Sequence, residues 1–386
     1  MIEIKNKTQC CGCAACANIC PKECISMVAD QEGFLYPSVN TVECINCDAC
    51  VRVCPELNII SSIGEGLPSA YAAYALDESI RQESSSGGVF TVLADYVLKD
   101  GGVVFGAAFD DDFNVRHIFV DKKEDMYKLR GSKYLQSRTE NCYILAKKFL
   151  NDGKKVLYSG TPCQIVGLHN YLGKNYDNLI LVDIICHGVP SPLVWQKYLQ
   201  SLPQASSGHK PRRISFRHKY YGWKRYSVSI KYDDTEYLCE FGKDKFMQAF
   251  LRDLCLRPSC YECPSKGEER VSDFTIADFW GIQDVMPEMD DDKGTSLVII
   301  HTKKGKTIFN GVVVNIKYKV VDFYSAIKYN GSMVKSASMP MRRNSFMSEI
   351  IKDRNFDAIE KKYCQPNLFQ KGRRFIVRIF NKIFKR

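Results

Sequence analysis

From residue 70 onward the hydrophobic positions switch between two periods. SSGGVFTVLADYVLK (85–99) places Val89, Phe90, Leu93, Tyr96 and Val97 at helical spacing, whereas GGVVFGAAF (101–109) reads as a strand. TENCYILAKKFL (139–150) predicts a helix capped by Thr139, and KKVLYS (154–159) another strand. LILVDIIC (179–186) is a near-continuous apolar run between polar flanks, the pattern of a strand buried on both faces. SPLVWQKYLQSL (191–202) returns to helical spacing. RISFRH, YSVSIKY and TEYLCEF read as short strands, the last two joined across Asp233 and Asp234 as a hairpin. SDFTIADF (272–279), SLVIIHT (296–302) and YKVVDF (318–323) are further strand candidates, with helices between and after them. This alternation predicts an α/β domain with a mixed sheet over residues 70–330, then a helical tail over 331–386.

Residues 1–60 break the pattern. They hold ten of the eighteen cysteines and little hydrophobic bulk, so something other than an apolar core must hold them together. SSIGEGLPS (61–69) is small, polar and rich in Gly and Pro, as expected of a linker. The start, MIEIKNKTQC, lacks the apolar core of a secretory signal, and no apolar run reaches 18 residues, so the expectation is a cytoplasmic protein without a membrane span. In a reducing compartment, closely spaced cysteines point to metal or redox chemistry rather than to disulfides.

The net charge of +10 would fit a nucleic-acid partner, but its distribution argues against one. KGRRFIVRIFNKIFKR (371–386) carries seven Lys and Arg and no acid, which leaves only +3 for the remainder. Wound as a helix, this tail groups Phe375, Ile376, Val377, Ile379, Phe380, Ile383 and Phe384 opposite Arg374, Arg378, Lys382 and Lys385. That pattern suits peripheral contact with the inner face of the cell membrane, or a helix docked on protein.

Cys10, Cys13, Cys16 and Cys20 with Pro21 form C-x2-C-x2-C-x3-C-P, and Cys44, Cys47, Cys50 and Cys54 with Pro55 repeat it. Three thiolates of each run can wrap one cubane, while the fourth points away to the other. The expected sets are therefore Cys10, Cys13, Cys16 and Cys54 for one [4Fe-4S] cluster, and Cys44, Cys47, Cys50 and Cys20 for the second. Zinc wants four ligands in two pairs, not eight in two such runs. Cys11 and Cys24 are left over as small buried fillers. Eight cysteines lie outside these runs. Cys260 and Cys263 form a C-x2-C pair, and Cys163 and Cys186 each follow a predicted strand. If those two strands are neighbours, the four could share a third cluster; zinc or unrelated thiols are the alternatives. Cys255 is the reserve ligand, Cys142 is read as core, and a Cys163 nucleophile activated by His187 is the remaining option.

Clusters carry electrons singly, and a flavin converts them to pairs. There is no G-x-G-x-x-G, and the P-loop pattern fails because Ile300 stands where its first glycine belongs. What remains are small polar segments around Ser84–Gly88, Gly131–Tyr134 and Gly160–Pro162, which are either phosphate-binding loops at helix starts or ordinary turns.

The order SSGGVFT, GSKYLQS, GTPCQIVGL, ICHGVPSP, RPSCYECP, SDFTIADFWG resembles the coenzyme F420 hydrogenase/dehydrogenase beta-subunit family across about residues 70–300, and the cysteine runs are similar to the ferredoxin domain fused to some members. The resemblance implies a bacterial-type α+β ferredoxin domain ahead of an α/β flavoprotein domain. It implies FAD and a third [4Fe-4S] cluster on Cys163, Cys186, Cys260 and Cys263. The FAD contacts it implies are Ser85, Ser86, Gly87, Gly88, Gly131, Ser132, Lys133, Tyr134, Gly160, Thr161, Pro162 and Gln164. His187 is the candidate proton donor, with Asp278 and Trp280 either in the same cavity or in the core. The expected reaction is hydride exchange with an organic acceptor, coenzyme F420 or a polysaccharide-pathway substrate, fed by a ferredoxin or a redox partner subunit. No deazaflavin-binding residues are recognisable. The alternatives are an electron-relay subunit with no substrate site and a zinc-stabilised adaptor.

Overall fold

A computed structural model describes residues 1–58 and 67–365, so most of the predicted linker and the basic tail at 371–386 lie outside the described residues. The N-terminal unit pairs β1 (Ile25–Ala29) with β2 (Leu35–Val39) as an antiparallel hairpin. Beside it stand two short helices, Ala15–Ile19 and Ala49–Arg52. Its apolar packing is slight, centred on Ile2, Ile25 and three cysteines. The two cysteine loops are wound alike. Gly12 (φ 73°) and Ala14 (φ 60°) in the first loop match Asn46 (φ 52°) and Asp48 (φ 55°) in the second. A left-handed backbone costs a residue with a Cβ roughly 1–2 kcal/mol. Its recurrence at equivalent places marks a loop shaped around something both repeats share.

The body is built on β3 (Ser69–Ala75), β4 (Val103–Phe109), β5 (Val115–Val120), β6 (Ser137–Arg138), β7 (Val156–Gly160), β8 (Leu179–Ile184), β9 (Arg213–His218), β10 (Ser227–Lys231), β11 (Glu236–Glu240), β12 (Phe274–Asp278), β13 (Ser296–Ile300) and β14 (Ile316–Val321). Nine of these form one mixed sheet in the order β14-β3-β13-β12-β8-β7-β4-β5-β6. Its middle, β12-β8-β7-β4, is parallel, and antiparallel pairs extend it on both sides. β9, β10 and β11 make a separate antiparallel meander over an aromatic core of Trp195, Tyr198, Phe216 and Phe246. Among the described residues no helix is long and apolar enough to cross a membrane.

Helices follow the strands as the periodicity predicts over Val89–Leu98 and Pro192–Ser201; Pro162–Leu172 is a further helix that the sequence reading did not include, and two more, Arg343–Ile351 and Phe356–Tyr363, come after the sheet. Three details differ. Thr139 is not a cap: the helix runs Cys142–Asn151, and the Thr139 hydroxyl donates to the Cys13 carbonyl at 2.9 Å, tying the N-terminal unit to the body. β3 begins at Ser69, the last position assigned to the linker, and its SAYAAYA sequence gives no strand signal because alanine is a poor strand former. It is nonetheless an inner strand, second from the edge of the sheet and paired with β13 on one side and β14 on the other. β5 is also absent from the sequence reading, because Arg116 and His117 interrupt its apolar positions.

Candidate functional site

Three cavities are each walled by at least five cysteines. The first is walled by Cys10, Cys13, Cys16 and Cys54 with Cys11 and Glu56, and the second by Cys20, Cys44, Cys47 and Cys50 with Cys24. The crossed sets follow from the chain path: Cys20 and Cys54 each end a run and reach the cavity of the other. Cys11 and Cys24 stand in cavity walls; Cys24 is at the same time buried in the small apolar core, its Sγ 3.4 Å from Cys20 Sγ. Burial pushes Cys16 up to about 12 and also raises Cys10, although the amides of Ala17 and Gly12 favour the ionised thiolates.

The third cavity is lined by Cys163, Cys186, Cys260 and Cys263, again with Cys11 and Glu56. β7 and β8 are parallel neighbours with Gly160 opposite Asp183, so the loops leaving their carboxyl ends bring Cys163 and Cys186 to one place. Cys260 rides on a 3-10 turn, Pro258–Glu262, and its sulfur accepts from the Val189 amide at 3.3 Å. Burial raises Cys186 to about 12 and Cys263 to about 11. Cys255 lines none of these cavities; it is buried in the apolar core with Cys364. Among the described residues no three His, Cys, Asp or Glu side chains are grouped to hold a single metal ion.

A fourth cavity, of about 320 Å³, opens at the carboxyl ends of the parallel strands, where α/β sheets bind ligands. Ser85, Ser86, Gly88, Gly131, Ser132, Lys133, Tyr134, Gly160, Thr161 and Gln164 all line it. Gly87 and Pro162 do not: a Cβ on Gly87 would strike the Ala73 carbonyl at 2.5 Å, and Pro162 faces the third cavity. Gly88 (φ 87°) starts the helix Val89–Leu98 with no side-chain cap, leaving first-turn amides at the cavity wall. The Ser132 amide donates to Ser85 Oγ at 2.7 Å and joins two of the loops. Thr161 and Gln164 satisfy each other as a capping box, so their polar atoms hold the loop rather than face outward.

His187 is not in this cavity. It lines the third, where Nε2 meets Asp253 Oδ1 at 2.6 Å and Nδ1 meets Ser332 Oγ at 3.3 Å. Asp278 and Trp280 do line the large cavity. Asp278 accepts from Arg217 at 2.8 Å and from the Trp223 indole at 2.9 Å, and Trp280 stacks on Trp223 at 5.3 Å.

Two wall residues escape the sequence reading. Gln136, 7% exposed, accepts at Oε1 from the Leu35 amide at 3.0 Å, while its Nε2 is a buried donor with no partner among the described residues. His117 donates from Nε2 to the Ser159 carbonyl at 3.0 Å, so Nδ1 accepts from Ser137 Oγ at 2.7 Å. Burial pushes it down to about 4 and keeps it neutral. Gln136 stands near the end of GSKYLQS, which is a signal; His117 carries none.

The family models described as coenzyme F420 hydrogenase/dehydrogenase, beta subunit, match residues 70–142 (N-term) and 153–325 (C terminus), and a 4Fe-4S dicluster domain matches residues 9–57. The chain belongs to this beta-subunit family. It combines the family's two regions, which form the α/β body with its large mixed sheet, with a ferredoxin-like 4Fe-4S domain at the N-terminus. Solved structures similar to this family member include a chain from the xenon-derivatized F420-reducing [NiFe] hydrogenase complex of Methanosarcina barkeri. It is 17% identical, over 79% of this chain and 94% of that one, with a TM-score of 0.46. No curated protein matches the sequence.

Proposed function

We propose that this beta-subunit relative is an iron–sulfur flavoprotein oxidoreductase, with a [4Fe-4S] cluster in each of the three cysteine-lined cavities and FAD in the large one. The observation that carries this reading is a set of shared walls. Cys11 lines the first, third and large cavities, Cys163 lines the third and the large one, and Cys47 is exposed at the second. When bound, the clusters would pass electrons singly, and FAD would exchange them in pairs as a hydride. The substrate would be an organic hydride acceptor or donor, coenzyme F420 or a polysaccharide-pathway compound, and a ferredoxin or partner subunit would meet the exposed second cavity. The loop at Ser85–Gly88 and the first turn of Val89–Leu98 suit an anionic diphosphate. Tyr134 and Trp280 offer flat walls for rings, and the free Gln136 Nε2 offers a donor. A relay-only subunit would have no need of this cavity.

Anaerobic purification tests the proposal. We expect about twelve irons per chain, with matching sulfide, from three cubanes, and FAD released on denaturation. Full iron with no flavin would refute the hydride half.

Lys133 supplies a second prediction. Its ammonium is enclosed by the carbonyls of Leu129, Arg130 and Gly131 at 3.3, 3.1 and 3.2 Å, and burial pushes it down to about 7. Below that pH the cation is present to meet a diphosphate; above it, binding must first take up a proton. FAD affinity of flavin-stripped protein should fall as pH rises through about 7, approaching about tenfold per unit for one linked proton. In Lys133→Met the dependence should flatten, as calorimetry across neutral pH would record.

A further inference from the structure

Arg257 is completely buried, yet among the described residues it forms no ion pair with a carboxylate. Its hydrogen bonds all go to neutral acceptors. Nε donates to the Cys10 carbonyl at 2.7 Å, Nη1 to Gln136 Oε1 at 3.3 Å and Nη2 to the Leu35 carbonyl at 2.9 Å. The guanidinium lies over the Tyr36 ring at 4.2 Å. Such a group does not lose its proton in a protein, and an ion taken out of water is costly unless charge offsets it. Carbonyls and a ring are weak compensation.

The groups that feel its charge include Cys10, Tyr36, Cys11 and Cys260, and Glu56 as well. Cys10 lines the first cavity, Cys260 the third, and Cys11 both. The backbone repeats the connection, because the Cys260 amide donates to the Arg257 carbonyl at 2.9 Å. Glu56 also lines both cavities and is drawn by the Arg257 charge, but the two form no ion pair among the described residues, and burial is the larger effect and raises its carboxyl. Gly12 leaves room for the arrangement: a Cβ there would lie 2.9 Å from Arg257 Nη1.

We propose that Arg257 is the shared counter-cation of two iron–sulfur clusters, one on Cys10, Cys13, Cys16 and Cys54 and one on Cys163, Cys186, Cys260 and Cys263, and that it raises the reduction potential of both. This rests on the cluster assignment above. Reduction adds a negative charge to a cluster, and a fixed cation in a low-dielectric, unscreened position favours that state. The second cavity, with Cys47 at the surface and the Met1 amine paired to Asp48 at 2.7 Å, has no share in it.

The test is a redox titration of the anaerobic full-length protein followed by electron paramagnetic resonance, with iron and sulfide measured on each sample. In Arg257→Gln we expect iron to stay complete while the first and third clusters become about tenfold or more harder to reduce, about 59 mV for a one-electron couple, and the second cluster keeps its potential. Arg257→Lys should hold all three potentials, since the charge survives and the planar fork does not. Complete iron in Arg257→Gln with unmoved potentials, or with all three moved equally, would overturn the proposal. If Arg257→Gln does not hold its iron, Arg257→Lys decides: wild-type potentials support the counter-cation, and equal iron loss reduces Arg257 to a structural staple. Wild-type protein with far fewer than about twelve irons would instead strike the cluster assignment itself.

Discussion

Cys163→Ala should leave the protein with about eight of about twelve irons, the loss of one cubane, and should abolish reduction of bound flavin by a one-electron donor. Cys163 is singled out by its position: it opens the helix Pro162–Leu172 just after β7, and it lines both the third cavity and the large one. Cys186→Ala and Cys260→Ala should give the same iron count, since each removes one wall thiol of the same cavity. Cys255→Ala is the informative control. That thiol is only five residues before Cys260, yet it is fully buried in apolar core and lines none of the four cavities, so its loss should leave iron complete. Iron and sulfide analysis of the four variants decides the matter. Full iron in Cys163→Ala, or a missing cubane in Cys255→Ala, would sink the ligand set.

The two repeats of the N-terminal unit are legible in the sequence because their geometry is local. Three-residue cysteine spacing fixes which thiols share a loop, and the structure repeats the same left-handed positions in both loops. The strands of the body are legible where Val, Ile and Leu run together, as in β8, and illegible where they do not, as in the alanine-rich β3. For the third cavity the sequence offers only a condition, that the strands before Cys163 and Cys186 be neighbours, and pairing of β7 with β8 is a property of the folded sheet. The residues between the cavities are beyond reach for the same reason. Nothing beside Arg257 in the chain announces Cys10 or Leu35, which lie more than two hundred residues away and meet it only after the hairpin docks. Cys11 reads as filler because its neighbours in sequence are ligand candidates, while its neighbours in space come from distant segments.

That docking is held by a buried ion pair, and breaking it should have the largest effect on stability. Glu32, in the turn between β1 and β2, receives both arms of Arg343 at 3.0 and 2.6 Å, and Arg343 Nη2 also donates to the Leu256 carbonyl at 2.8 Å. The side chains are 3% and 14% exposed for Arg343 and Glu32, so water has little access to the guanidinium if its partner is lost. Removing one member of such a pair strands the other charge, at a cost of about 3–5 kcal/mol. Because Leu256 precedes Arg257, the same contact fixes the turn that carries Cys260. Arg343→Met should therefore speed amide exchange in the hairpin, including Leu35, whose amide donates to Gln136 at 3.0 Å. At about 1.4 kcal/mol per factor of ten, that cost corresponds to about two to three and a half orders of magnitude. Glu32→Gln should act in the same direction, whereas Glu32→Leu with Arg343→Met removes both charges and should recover much of the loss. Hydrogen exchange read by mass spectrometry would show this as faster uptake confined to the hairpin and residues 254–262 in the single variants. Unchanged uptake there in Arg343→Met would mean that the N-terminal unit is held on the body by other contacts, with the Thr139 bond to the Cys13 carbonyl the first to examine.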